Sequence, residues 1–146
     1  EAGFPRLTQD VDLLVDVSPE NEARVFEALR SLPDKAVNEL DPGDIARFTV
    51  VRVGDEILVD LMKSGCGVTY AEASKDAVHR VIHGVRIPFA SPLTLWKMKQ
   101  THREKDIPDR LFLRQLLAAQ GIEVEETPPQ PRPTGLWAWL KRTFGA

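Results

Sequence analysis

The stretch RLTQDVDLLV, residues 6–15, decides what the rest of this chain is expected to form. Side chains alternate between the two faces of a β-strand, so Asp10 and Asp12 share one face of a strand predicted over about Val11–Val17. A second apolar run, ILVDLM at residues 57–62, contains Asp60. Carboxylates held close together repel one another unless a proton or a divalent cation lies between them. The three aspartates therefore predict a site for Mg²⁺ and, through it, for a nucleoside triphosphate.

A D-x-D pair also has a plain structural explanation. In that explanation Asp10 and Asp16 are turn residues at the strand ends, and Asp12 pairs with an arginine. The third aspartate, set between apolar neighbours, favours chemistry instead, because phosphoryl and nucleotidyl transfer use metal ions bridged by carboxylates. On this hypothesis Asp10 and Asp12 bind metal. Asp60 binds a second metal or takes the proton of the attacking hydroxyl.

Length and composition are those of a globular protein. The chain has 146 residues, of which 42% are apolar and 28% charged, and this favours one domain with its own core. The net charge of −3 argues against a nucleic-acid binder. The single Cys66 excludes an internal disulfide and favours a cytoplasmic location. We expect no membrane span, and a start at Glu1 rather than Met is typical of a fragment or a processed chain.

Start and stop signals predict an α/β (α+β) fold with helices packed on a mixed β-sheet. Ser18-Pro19 begins a helix that runs to about Leu32, with Phe26 inward and Glu22 in water. The other predicted elements are strands at about Arg47–Val53 and Ile57–Met62, a helix at Tyr70–Ala77, hairpin strands at Val78–Ile82 and Val85–Phe89, a helix from Ser91-Pro92 to about His102, and a helix capped by Asp106 that ends at Gly121.

The chain is expected to divide into three parts. Residues 1–125 form the main domain, residues 126–135 a proline-rich linker, and residues 136–146 a helical tail. In the tail Leu136, Leu140 and Phe144 recur at helical spacing beside two tryptophans. We expect this helix to dock on its own domain or on a second copy, which would give a homodimer. A helix lying on a membrane surface is the alternative.

Three motifs in order give the chain a resemblance to a known family. They are RLTQDVDLLV, then VDLM at the end of a hairpin, then LTLWKMK followed by REKDIPD, and they cover roughly Gly3 to Leu117. The chain resembles the small nucleotidyltransferases of the polymerase-beta-like superfamily, in particular the bacterial minimal and abortive-infection toxin-type group with an R-x-T-x-D-(I/V)-D signature. The resemblance implies a nucleotidyltransferase-type fold, Mg²⁺ or Mn²⁺, a nucleoside triphosphate as substrate, and a protein, tRNA or small molecule as the hydroxyl acceptor.

Carried over residue by residue, the resemblance implies Asp10, Asp12 and Asp60 as metal ligands. It also implies Lys99 as a contact to the triphosphate or the ribose, with Lys97 as the alternative. Arg6 and Thr8 precede the aspartates in the sequence. Their guanidinium and hydroxyl groups could contact the phosphates of a nucleotide. Their alternative roles are neutralising the aspartates and satisfying a strand end.

One departure concerns the phosphate loop. Members of that group have a Gly-Gly or Gly-Ser loop upstream of the D-x-D, where backbone N–H groups grip the triphosphate. Here only Gly3 precedes Asp10, and it is too close to serve. We therefore expect weak nucleotide binding by this polypeptide. The competing hypothesis is a non-catalytic binding or regulatory module, such as half of a toxin–antitoxin-like pair.

Overall fold

Helices and small β-sheets make up residues 10–126, the part of the chain that the computed structural model describes. At that level the predicted α/β (α+β) class is confirmed. These residues divide into two units, residues 10–64 and residues 65–126. Residues 127–146, with most of the predicted linker and all of the predicted tail, lie outside the described part, as do Arg6 and Thr8. Within residues 10–126, no helix has the length and apolar character that a membrane crossing requires.

Three five-residue strands form the sheet of the first unit. They are β1 (Asp10–Leu14), β2 (Val50–Gly54) and β3 (Leu58–Met62), in the order β1-β3-β2. The central strand β3 pairs parallel with β1 and antiparallel with β2, so the sheet is mixed, as predicted. A tight turn can join the antiparallel pair, whereas parallel strands need a longer crossover, and the helices between β1 and β2 supply it.

Alternation along β2 and β3 gives this sheet one apolar face. Val51, Val53, Val59 and Leu61 are each at most 3% exposed. This burial fixes the strand register, because a slip by one residue would exchange the buried side chains for the polar ones between them. Residues outside the sheet add four buried side chains to the same core: Val15, Phe26, Val37 and Ile45.

Helix α1 (Pro19–Leu29) begins where Ser18-Pro19 predicts, with Ser18 as the N-cap residue. The prediction that Glu22 faces water is wrong, because its side chain is only 5% exposed. Glu22 accepts hydrogen bonds from the backbone N–H groups of Gly43 and Ile45, at 2.7 and 3.1 Å. The first N–H groups of a helix have no partner within it. Glu22 therefore caps the next α-helix along the chain, α2 (Asp44–Arg47).

The predicted strand Arg47–Val53 begins too early. A 3-10 helix (Ala36–Glu39) and α2 occupy the connection before it, and β2 starts only at Val50. Three short elements follow β3, and four longer ones end the described chain. In order they are β4 (Ser64–Gly65), β5 (Val68–Thr69), α3 (Tyr70–Ala73), β6 (Val78–Ile82), β7 (Val85–Phe89), α4 (Pro92–Met98) and α5 (Asp106–Ala119).

The hairpin of β6 and β7 has the predicted strand bounds. His83 and Gly84 join the strands, and both have positive φ, +49° and +81°, as the favoured two-residue hairpin turn needs. Every residue of β6 is exposed. Val81 and Val85 are 71% and 60% exposed, so this two-stranded sheet contributes little to a core.

Helices α4 and α5 pack together around Trp96, Leu113 and Leu117. Ser91 caps α4 as predicted, because its hydroxyl accepts a hydrogen bond from the Thr94 N–H at 3.0 Å. However, α4 ends at Met98 and not near His102. The residues after it turn away to surround one carboxylate.

That carboxylate belongs to Asp106, which is completely buried. It accepts hydrogen bonds from the Thr101 hydroxyl, from Lys99 Nζ at 3.3 Å and from Arg103 Nε at 3.1 Å. The prediction that Asp106 is an N-cap is wrong, since Lys105 holds that position. Burial alone would raise the pKa of Asp106. The Thr101 hydrogen bond and the charges of Lys99 and Arg103 outweigh it and hold the pKa below its usual range.

We predict that this lowered pKa makes the Asp106 carboxylate a source of acid sensitivity. Its contribution is fully present above the unfolded-state pKa of about 4 and is lost as the pH falls through the lower folded-state pKa. The difference in unfolding free energy between wild type and Asp106→Asn should therefore shrink below about pH 4. Urea unfolding across the acid range measures it. The control is Asp34→Asn, at an exposed site, for which the difference in unfolding free energy from wild type should not shrink. A difference between wild type and Asp106→Asn that stays constant with pH would contradict the prediction.

A second prediction compares two lysines of the same segment. Lys99→Met removes one partner of the buried Asp106 and should cost about 1–3 kcal/mol of unfolding free energy. Lys97 is exposed, so Lys97→Met should change the unfolding free energy by less than about 0.5 kcal/mol. Urea unfolding at neutral pH measures both. Equal effects of the two changes would show that Lys99 does not hold the loop together.

Candidate metal-binding site

The register of the sheet places three polar side chains in a row across it. Asp12 on β1 lies opposite Asp60 on β3, and Asp60 lies opposite Arg52 on β2. Neighbouring strands are about 4.8 Å apart, so side chains in register on one face are neighbours. Asp10 precedes Asp12 by two residues and shares its face. The core residues described above occupy the other face, so the core itself holds the carboxylates together.

The carboxylates of this cluster are close and unequally exposed. One oxygen from each of Asp10, Asp12 and Asp60 lies within 4.8 Å of the other two. Asp60 is buried at 7% exposure, whereas Asp12 is exposed and the Asp10 side chain is 34% exposed. The cluster therefore has a buried carboxylate at one side and remains accessible at the other.

The donor set of the cluster fits a hard divalent cation. Carboxylate oxygens are preferred by Mg²⁺ and Mn²⁺, and the cluster offers three of them. Mg²⁺ holds its oxygen ligands at about 2.1 Å, so two ligands on opposite sides of the ion are about 4.2 Å apart. Adjacent ligands are about 3.0 Å apart, so the three oxygens, which lie within 4.8 Å of one another, would have to move closer to share one ion. The geometry shows that the cluster has the capacity for a metal ion.

Among residues 10–126, Arg52 provides a positive charge at the cluster. Its Nε and Nη2 atoms donate to the two oxygens of Asp60 at 2.7 and 2.6 Å, and Nη2 lies 3.9 Å from Asp10 Oδ2. The Asp60 hydrogen bond raises the pKa of Arg52 above its usual range. Burial opposes that shift, and the charges of Asp60, Asp10 and Asp12 add to it.

Sequence reasoning missed Arg52. It considered an arginine as a structural partner of Asp12, but the bidentate partner of Arg52 is Asp60. The predicted hairpin placed Arg52 on the strand next to that of Asp60, but the observed register, with Gly54 opposite Leu58, is what sets residue 52 opposite residue 60. Cross-strand neighbours of this kind follow from register and not from local composition.

Lys99 has carboxylate partners of its own in the second unit. Its Nζ lies 3.3 Å from Asp106 and 3.0 Å from Asp109. Lys97, the alternative, is exposed. Contact of either lysine with a nucleotide stays a prediction, as do the roles of Arg6 and Thr8, which lie outside the described residues. Of the predicted site residues, the structure brings together Asp10, Asp12 and Asp60.

Cys66 is not set up as a nucleophile. Its Sγ lies 3.3 and 3.4 Å from the carbonyl oxygens of Met98 and Gln100. Burial raises the pKa of the thiol above its usual range, which lowers the fraction of reactive thiolate. The thiol therefore packs against the backbone that follows α4.

Comparison of the chain with protein-family models, with curated proteins and with solved structures gave no match in any of the three. The resemblance to small nucleotidyltransferases rests on the three sequence motifs alone. What the site can do follows from those motifs together with the geometry of its carboxylates.

Proposed function

We propose that this protein is a metal-dependent nucleotidyltransferase, which moves a nucleoside monophosphate from a nucleoside triphosphate to a hydroxyl acceptor. The observation that carries the proposal is the convergence of Asp10, Asp12 and Asp60 on the polar face of the sheet. These residues come from two separate sequence motifs. Their arrangement suits the neutralisation of charge on a triphosphate, which nucleotidyl transfer requires.

Each carboxylate has a part in the proposed reaction. Asp10 and Asp12, on the more exposed side, would hold Mg²⁺ or Mn²⁺, and the bound metal would supply charge neutralisation to the phosphate oxygens. The acceptor oxygen forms a bond to the α-phosphorus, the bond from that phosphorus to the bridging oxygen breaks, and pyrophosphate leaves. Asp60 takes the proton of the acceptor hydroxyl or binds a second metal ion. The acceptor is a protein, a tRNA or a small molecule.

The Arg52 ion pair favours a second candidate function. A guanidinium held on Asp60 by two hydrogen bonds already neutralises part of the cluster without any metal. On this alternative the protein is a non-catalytic binding or regulatory module, such as half of a toxin–antitoxin-like pair. The carboxylates then have a structural role in the sheet and take part in no reaction. The two candidate functions differ in whether nucleotide stabilises the protein.

We predict that Mg²⁺ together with a nucleoside triphosphate raises the melting temperature. A ligand that binds only the native state at 100 times its Kd adds about 2.7 kcal/mol of stability. Mg²⁺ alone should do little, because it keeps its waters and depends on phosphate oxygens. Thermal denaturation with each of the four common triphosphates, with and without Mg²⁺, measures the effect. The absence of any shift would favour the non-catalytic module.

We further predict that Asp12→Asn separates binding from folding. In metal-free buffer the unfolding free energy should change by less than about 0.5 kcal/mol, because Asp12 is exposed and the change relieves carboxylate repulsion. The stabilisation by Mg²⁺ and nucleotide should disappear, together with transfer of label from an α-phosphate-labelled triphosphate.

Asp34→Asn is the matched control for that change, since it removes the same charge from another exposed position of the first unit. It should leave both the nucleotide response and label transfer as in wild type. A loss of several kcal/mol for Asp12→Asn in metal-free buffer would instead identify Asp12 as a structural ion-pair residue.

A further inference from the structure

We infer that Arg52 is a resident counter-cation of the carboxylate cluster and that it releases Asp60 when a divalent metal ion binds. Metal and guanidinium then compete for the same carboxylate. This inference rests on the proposed function, because it describes how the same cluster passes from its metal-free to its metal-bound state.

The ion pair of Arg52 and Asp60 occupies the position that a metal ion would need. Arg52 uses both oxygens of Asp60, at 2.7 and 2.6 Å, and its Nη2 also lies 3.9 Å from Asp10. A metal bound to Asp60 at about 2.1 Å would lie within a few ångströms of that guanidinium. Two positive centres at this separation repel strongly in a partly buried site. The metal and the present Arg52 position are therefore incompatible.

Arg52, and not Asp60, is the side chain that can move away from the ion pair. The Asp60 side chain is 11% exposed and sits on the central strand, between the buried Val59 and Leu61. The Arg52 side chain is 44% exposed and rises from β2, at the end of the strand order. An arginine side chain has several rotatable bonds and gains hydration when it swings outward. Arg52 is therefore the mobile partner, and Asp60 stays in place.

In the metal-free protein, Arg52 compensates the negative charge of the cluster. Without Arg52, three neighbouring carboxylates would face one another with less compensation, and this would destabilise the native state. Arg52 relieves that repulsion when no metal is bound. The same contact must weaken metal affinity, because part of the binding free energy is used to displace the guanidinium.

The test measures Mn²⁺ binding and stability without reference to activity. Mn²⁺ affinity is determined by electron paramagnetic resonance on the wild type, Arg52→Gln and Arg52→Lys, and melting temperatures are recorded in EDTA and in Mn²⁺. Arg52→Gln should bind Mn²⁺ roughly tenfold more tightly, since it loses a charge-assisted contact that competes for Asp60. It should melt lower than wild type in EDTA and gain more from Mn²⁺.

The matched control is Arg30→Gln. Arg30 also pairs with an acidic residue, Glu27 at 2.9 Å, and also hydrogen-bonds Asn38, but it directly follows α1 and lies outside the cluster. Its loss removes the same charge and one ion pair. Mn²⁺ affinity should therefore remain that of wild type.

The inference is overturned if Arg52→Gln binds Mn²⁺ no more tightly than wild type while wild type still gains stability from Mg²⁺ and nucleotide. In that case the proposed function stands and Arg52 does not compete with metal. If neither protein binds Mn²⁺ or nucleotide, both the proposed function and this inference fail. If Arg52→Gln folds only with Mn²⁺, the inference is supported. If it does not fold at all, Arg52→Lys decides by the same affinity criterion, because it keeps the charge but not the two-pronged contact.

Discussion

The register of the central strand β3 is the constraint on which the rest of the site depends. Val59 and Leu61 are buried in the core, so the intervening Asp60 must point to the opposite face. Parallel pairing with β1 then brings Asp12 beside it, and antiparallel pairing with β2 brings Arg52 to its other side. The hydrophobic effect thus supplies the free energy that holds like charges together. The cluster needs no attraction among its own members.

Asp106 and Asp60 are both buried, but their surroundings give them different roles. Asp106 is fully buried and surrounded by a hydroxyl and two cations, and these partners complete its hydrogen bonding. Among residues 10–126, Asp60 has one cationic partner, two carboxylate neighbours and an accessible side. The first arrangement is closed and stabilises a loop. The second can exchange its partner, and that capacity is what a binding site requires.

Local sequence signals predicted the elements that depend on local physics. Two helices begin with a proline directly after Ser18 and Ser91, as the sequence predicts. The hairpin has its predicted bounds on either side of His83-Gly84. Both features follow from local backbone preferences. Strand periodicity predicted that Asp10 and Asp12 share one face, whereas the pairing of β1 with β3 brings Asp60 beside them. Periodicity could not show that Glu22 is drawn inward by N–H groups 21 and 23 residues away. Nor could it show that α4 ends early, because the groups that bind Asp106 lie three to seven residues before it and follow no helical or strand period.

The β6–β7 hairpin has a consequence for how the native protein fluctuates. Within residues 10–126 its strands pair only with each other, and Val81 and Val85 are largely exposed. A two-stranded sheet with so little burial is marginal by itself, whereas β3 is flanked on both sides and backed by the core. We therefore expect backbone amides of the hairpin to exchange their hydrogens through frequent local opening, and those of β3 only through nearly complete unfolding of the first unit. Mechanical rigidity is concentrated where the carboxylates are.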